Sequence, residues 1–108
     1  MSILSMHSHG AITVFTLATP KFDASLVPEF KREFTELANP MPKDLALDLS
    51  AVRFVDSSAL GALVSVYKSA AGSRVRLVGV TAPVLGLLKL TRMDRVFEIV
   101  EALEPAAA

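Results

Sequence analysis

The chain has no cysteine, which excludes disulfides and thiolate metal sites and points to a cytoplasmic setting. Aromatic residues make up only 6% of a sequence that is 52% hydrophobic, so the core must be aliphatic, with a few phenylalanines. Charge of either sign is not in surplus. Eleven Lys and Arg offset eleven Asp and Glu, which argues against a nucleic-acid or anionic-membrane binder held by bulk charge. No apolar run reaches the about 18 residues needed to span a bilayer. The N-terminus carries His7 and His9 but no basic segment before a long apolar core, so it does not read as a secretory signal. Neither a repeat nor a linker interrupts the chain. A single domain over residues 1–108 is expected, with residues 1–9 and 102–108 flexible, and this length buries about two-thirds of the surface an unfolded chain exposes.

What is present is a regular alternation of short strands and helices. Ala11 to Leu17, with Ile12, Val14 and Phe15, predicts a strand, and Ile3 to Met6 a short or frayed edge strand. Ser25 is placed to cap a helix that carries Pro28 in its first turn and Leu26, Phe30, Phe34 and Leu37 on one face. Asn39-Pro40 ends it. Lys43 to Leu49 is the next strand, since Leu45, Leu47 and Leu49 alternate with smaller or polar residues. A helix from about Ser58 to Ala70 follows, with Leu60, Leu63, Val64 and Tyr67 at helical spacing. Arg74 to Val80 predicts a strand, Thr81 a cap, Val84 to Leu90 an apolar core helix, and Val96 to Val100 a last strand. This order predicts an α/β fold, a small mixed sheet of about four to five strands packed with three to four helices.

The stretch that carries chemistry is Asp56-Ser57-Ser58-Ala59-Leu60-Gly61. It lies where a strand hands over to a helix, beyond a strand's carboxyl end, where functional loops of such sheets gather. Free backbone N–H groups and the helix dipole make that corner hospitable to an anion. Ser57 or Ser58 is placed either to cap the helix or to carry a phosphate, and Asp56 either to form the turn and cap or to act directly. Gly61, one turn on, leaves room for another chain to approach closely.

The chain resembles the STAS family, the domain of anti-sigma factor antagonists. The resemblance rests on Leu47-Asp48-Leu49-Ser50, on Val52-Arg53-Phe54-Val55-Asp56-Ser57-Ser58-Ala59-Leu60-Gly61, and on Leu88-Lys89-Leu90-Thr91-Arg92-Met93-Asp94-Arg95-Val96-Phe97-Glu98-Ile99. Asp23 stands where the family has an aspartate before its first helix, and Ala59 stands where it has glycine. The resemblance implies that Ser57 is phosphorylated by a partner that is both an anti-sigma factor and a serine kinase of the histidine-kinase-like ATPase type, and that a phosphatase reverses it. It implies a partner-binding surface of Asp23, Asp56, Ser57, Ser58, Ala59 and Gly61. Unphosphorylated protein would bind the kinase and free a sigma factor; phosphorylated protein would let go. A scaffold subunit of a stressosome or of a lipid-transport ATPase complex, without phospho-switching, is the alternative.

Catalysis is not expected. Neither a Gly-x-Ser-x-Gly elbow nor a phosphate-binding Gly-rich loop is present, and the histidines sit at the N-terminus, away in sequence from Ser57. His7 and His9 alternate as metal ligands on a strand do, but no third ligand follows at recognisable spacing, so they read as solvated and neither metal nor cofactor is expected. Arg74 and Arg76, with Lys89, Arg92 and Arg95, read as solvated faces. The chain is expected to be a monomer or a weak dimer.

Overall fold

The structure, a computed structural model, describes residues 2–105. The chain runs β1 (Leu4–His9), β2 (Ile12–Leu17), β3 (Lys21–Phe22), α1 (Val27–Leu37), β4 (Asp44–Asp48), β5 (Phe54–Val55), α2 (Ser57–Ser69), β6 (Arg74–Val78), α3 (Ala82–Leu90), a 3-10 turn over Met93–Arg95, and β7 (Glu98–Val100). Five strands form one mixed sheet in the order β1-β2-β4-β6-β7, while β3 and β5 pair as a separate two-stranded ladder. Only β1 runs antiparallel; it forms a hairpin with β2. Gly10 supplies the left-handed conformation (φ 62°) that this two-residue turn needs.

All three helices cover one face of the sheet. Phe15 and Leu17 of β2, Leu45 and Leu47 of β4, and Val75 and Leu77 of β6 point to that face, and they share one core with Phe30 and Phe34 of α1, Ala59, Leu63 and Val66 of α2, and Val84 and Leu88 of α3. The few aromatics are concentrated under α1, where Phe15 meets Phe34 at 5.0 Å and Phe22 meets Phe30 at 4.9 Å between ring centroids. The opposite face carries no helix. Buried Val14 and Ala46 lie there, beside an ion network in which Arg76 pairs with Asp44 at 3.1 Å and approaches Glu98 at 3.6 Å.

Several expectations are corrected. Of residues 1–9, expected to be flexible, Leu4–His9 pairs along its whole length with β2, and Met1 lies outside the described residues. Of the tail, residues 101–105 form no regular element, and 106–108 lie outside the described residues. Arg76 is not solvated: its side chain is 8% exposed, since β6 aims it across the sheet at Asp44. Arg74 stays exposed but is gripped by both carboxylate oxygens of Glu98. On α2 the inward stripe is Ala59, Ala62, Leu63 and Val66, whereas Leu60 and Val64 are half-buried and Tyr67 is exposed. Small alanines let that helix sit close to the sheet, which turns the larger residues outward. Leu90 ends α3 at 82% exposed, outside the core that Val84 and Leu88 enter.

The edge strand is held by a buried acid. Glu33 of α1 accepts hydrogen bonds from the Ile3 and Leu4 N–H groups, at 3.1 and 3.0 Å, and from the Ser2 hydroxyl at 2.7 Å. Burial pushes this carboxyl up. Hydrogen bonds from the Ser2 hydroxyl and from those two N–H groups work against it, and the pKa lies at about 2 against an ordinary 4.5. A carboxyl lowered on folding stabilises the fold fully above its unfolded value and loses that contribution as pH falls toward its folded value. Glu33→Gln should therefore cost about 1–3 kcal/mol at neutral pH, because buried donors lose a charged acceptor. Urea unfolding should show this gap closing as pH drops from about 4.5 toward about 2; a gap independent of pH would refute the clamp.

Candidate functional site

The corner between β5 and α2 is built by the Asp56 carboxylate. Asp56 sits in an extended conformation (φ −94°, ψ −179°) at the N-cap of α2, and its Oδ1 accepts the Ala59 N–H at 2.8 Å. Its Oδ2 accepts the Ala24 N–H at 3.0 Å, from the loop before α1. One side chain thus closes the helix start and ties two loops that are distant in sequence. The cap expected of Ser57 or Ser58 belongs to Asp56, because Asp and Ser are comparable caps and here the acid comes first. Ser57 is accordingly the first helical residue and Ser58 the second, and both are exposed. The N–H groups of a helix's first turn have no partners within the helix, so these two point to the same open end.

Asp23 lies on the facing loop. Its Oδ1 accepts the Ser25 N–H at 3.0 Å and the Ser25 hydroxyl at 2.5 Å. That turn explains why Ser25 does not cap α1, whose N-cap is Leu26 with no side-chain bond. The Ser25 hydroxyl holds the Asp23 carboxyl below the usual carboxylate range, against a smaller upward push from desolvation. Lys21 approaches Asp23 at 3.9 Å.

The short ladder of β3 and β5 aligns these loops: Lys21 pairs with Phe54 and Phe22 with Val55. Phe22 and Val55 point inward and are buried, while Phe54 is 48% exposed with the Lys21 ammonium 5.6 Å from its ring centre. Phe54 is the surface residue at this corner that sequence reasoning passed over. Its alternation with buried Val55 was the available signal. Asp23, Asp56, Ser57 and Ser58 are brought together on one corner, and Gly61 follows one turn along α2, exposed and with nothing within 4 Å of where a Cβ would stand. Ala59 is different. It is fully buried, so it offers no side-chain surface and contributes its N–H to Asp56.

Among the described residues no group of three or more His, Cys, Asp or Glu could hold a metal ion, and no helix is long and apolar enough to cross a membrane. His9 lies on β1 against the tail, where its Nε2 is 2.5 Å from the Glu104 carbonyl oxygen.

Comparison with known proteins gives a family match for the chain as a whole. The STAS domain model matches residues 4–106. Among solved structures the chain is similar to a candidate anti-sigma factor antagonist from Thermotoga maritima, at 27% identity and a TM-score of 0.79, covering 93% of this chain and 87% of that one. It also shares its fold with an anti-sigma factor antagonist from Mycobacterium paratuberculosis, at 22% identity and a TM-score of 0.82, with coverage of 93% and 86%. The fold is shared again with the anti-sigma factor antagonist SpoIIAA in its unphosphorylated form, at 16% identity and a TM-score of 0.67, with coverage of 93% and 87%.

The geometry separates the roles of neighbouring residues. Asp56→Ala removes the cap and the bridge to Ala24 and should lower stability by about 1–2 kcal/mol. Ser57→Ala, at an exposed position, should change it by less than about 0.5 kcal/mol. Equal destabilisation of the two variants in urea titration would show that the carboxylate does not hold the corner.

Proposed function

The chain belongs to the STAS domain family, and on that premise we propose that it is an anti-sigma factor antagonist whose partner binding is switched by phosphorylation of Ser57. One observation carries the reading. Asp56 performs the capping, so the Ser57 hydroxyl stands exposed at the helix start without a structural task that a kinase would have to undo. In this reading the partner is an anti-sigma factor that is also a serine kinase of the histidine-kinase-like ATPase type. Its capture by the unmodified protein frees a sigma factor.

The switch follows from charge and burial. Phosphorylation adds about 1.5 to 2 negative charges at pH 7 and three acceptor oxygens. Helix N–H groups at Ser57 and Ser58 stabilise that charge, so the domain stays folded. A docked partner that had desolvated the hydroxyl would instead have to bury a dianion. Burying an unpaired charge costs far more than burying a hydroxyl, and the partner is released. Phe54, Ser58 and Gly61 surround Ser57 as the contact surface: an aromatic anchor, a small polar residue and a gap for close approach. The role is one of binding, with Ser57 as the substrate of another protein's chemistry.

The test is intact-mass and phosphopeptide analysis of the protein recovered from its own cells before and after a growth-phase or stress shift. Phosphate confined to Ser57, with changing occupancy, is the expected result. Ser57→Ala should retain the ATPase partner on affinity capture and Ser57→Asp should lose it. Equal capture by both variants would overturn the switch. A chain that is never phosphorylated and co-purifies with a large complex would establish the scaffold role in its place.

A further inference from the structure

The sheet ends in a strand that lacks the usual protection against pairing. β1 is six residues long, regular in register, and exposed from Ser5 through Ser8. Natural edges carry lysine, proline, bulges or a covering element to prevent association. Among the described residues β1 has none of these over Ser5–Ser8, and no Asp, Glu, Lys or Arg occurs before Lys21. A charged residue on the axis of a two-fold pair would meet the same charge in its symmetry mate, and one beside the axis would have to be buried unpaired at the seam; β1 carries no Asp, Glu, Lys or Arg to do either.

Its hydrogen-bonding groups are partly spoken for, and that fixes a register. Ala18 donates its N–H to the Ile3 carbonyl at 2.8 Å, so in the alternating pattern of an antiparallel pair Ser5, His7 and His9 also face β2 while Leu4, Met6 and Ser8 face outward. The Leu4 N–H goes to Glu33, and the Ser2 hydroxyl oxygen sits 3.0 Å from the Leu4 carbonyl oxygen, in the way of a second strand. The open groups of the edge are therefore the N–H and C=O of Met6 and Ser8. A two-fold axis at His7 pairs Met6 of each copy with Ser8 of the other and uses all four groups of each strand. An axis at Met6 would instead oppose Ser8 to the occupied Leu4, and an axis at Ser8 would oppose Met6 to the turn at Gly10.

We propose that β1 is a homotypic docking edge through which two copies of this chain join antiparallel about an axis at His7, making one continuous sheet. Nothing in this pairing uses the Asp56–Ser57 corner, so each copy keeps its own. Across the axis His7 faces its symmetry mate in the closely spaced, non-hydrogen-bonded pair, with Cα atoms about 4.5 Å apart.

The position is testable because the chain has no cysteine. Under mild oxidation His7→Cys should form a disulfide-linked dimer, since that separation lies within disulfide range. His9→Cys, displaced from the axis, should do so far more slowly. By light scattering and sedimentation the wild-type chain should dimerise as concentration rises. Ser8→Pro removes an outward N–H that β2 does not use, and proline is tolerated on such an edge; it should abolish the dimer while circular dichroism stays native. His7→Lys should abolish it by setting two ammonium groups face to face. A wild-type chain that stays monomeric, or a His7→Cys chain that cross-links no faster than His9→Cys, overturns the proposal. If Ser8→Pro fails to fold, the cysteine pair alone decides it.

Discussion

The Asp56 carboxylate is the interaction on which the rest of the site depends. Its two oxygens serve two segments, the first turn of α2 through Ala59 and the loop before α1 through Ala24. The ladder beneath it, β3 with β5, is only two residues long on each side, too short to hold a register unaided. The carboxylate and the ladder restrain the same pair of loops from two directions. The Asp23 loop is set in turn by Ser25, and it follows directly on buried Phe22, whose ring meets Phe30 of the core. Without Asp56 the corner would be two loops; with it, the corner is a single surface at the carboxyl ends of the strands.

A one-sided sheet makes that surface available. All the helices lie on the face of Leu45, Leu47 and Leu77, and the helical connections between parallel strands bring the chain back to the same end of the sheet. The other face is closed more sparingly, by Val14 and Ala46 and by the Arg76–Asp44 pair. Arg76 is buried while the Asp44 side chain keeps 31% exposure, so loss of the carboxylate would leave a buried guanidinium under-paired. The arrangement therefore fixes side-chain identity on that face more strictly than it raises stability. Glu33 acts in the same way at the sheet's edge, where one acid accepts the Ile3 and Leu4 N–H groups.

The legible parts of the fold were those with a period. Leu45, Leu47 and Leu49 announced a strand, Phe30 and Phe34 a helix face, and Asp56-Ser57-Ser58 a strand-to-helix corner. The parts that stayed hidden depend on neighbours brought in by the fold. Asp and Ser cap helices about equally well, so the sequence around Asp56 could not rank them; the reach of its second oxygen to Ala24, 32 residues back, is a tertiary fact. Ser25 looked like a cap and was captured instead by Asp23. Arg74 and Arg76 occupy the same face of β6 and looked alike, yet Arg74 opens the strand and stays exposed, while Arg76, two residues further in, is buried between Asp44 and Glu98. Glu33 sits among Glu29, Arg32 and Glu36 on α1 and reads as one more solvated charge until β1 is in place. Two-residue strands have no period to detect, so β3 and β5 were not legible as strands, and the alternation of exposed Phe54 with buried Val55 was the one trace they left.

The state of the acids at the corner decides whether a phosphate there could act on a partner without damaging its own domain. Two carboxylates, Asp56 and Asp23, lie on that corner, and bare charges would resist an incoming dianion. Neither is bare. Asp56 is bound by two backbone N–H groups, and Asp23 is held ionised mainly by the Ser25 hydroxyl, with Lys21 at its other oxygen. Their charge is already drawn into hydrogen bonds, while the helix end contributes opposing positive potential. The repulsion inside the domain is therefore small, and water reaches Ser57 to screen the remainder. In the proposed switch a docked partner would remove that water. The same modification is then tolerable in the free chain and costly in the complex, and this difference between the two states is what a partner switch requires.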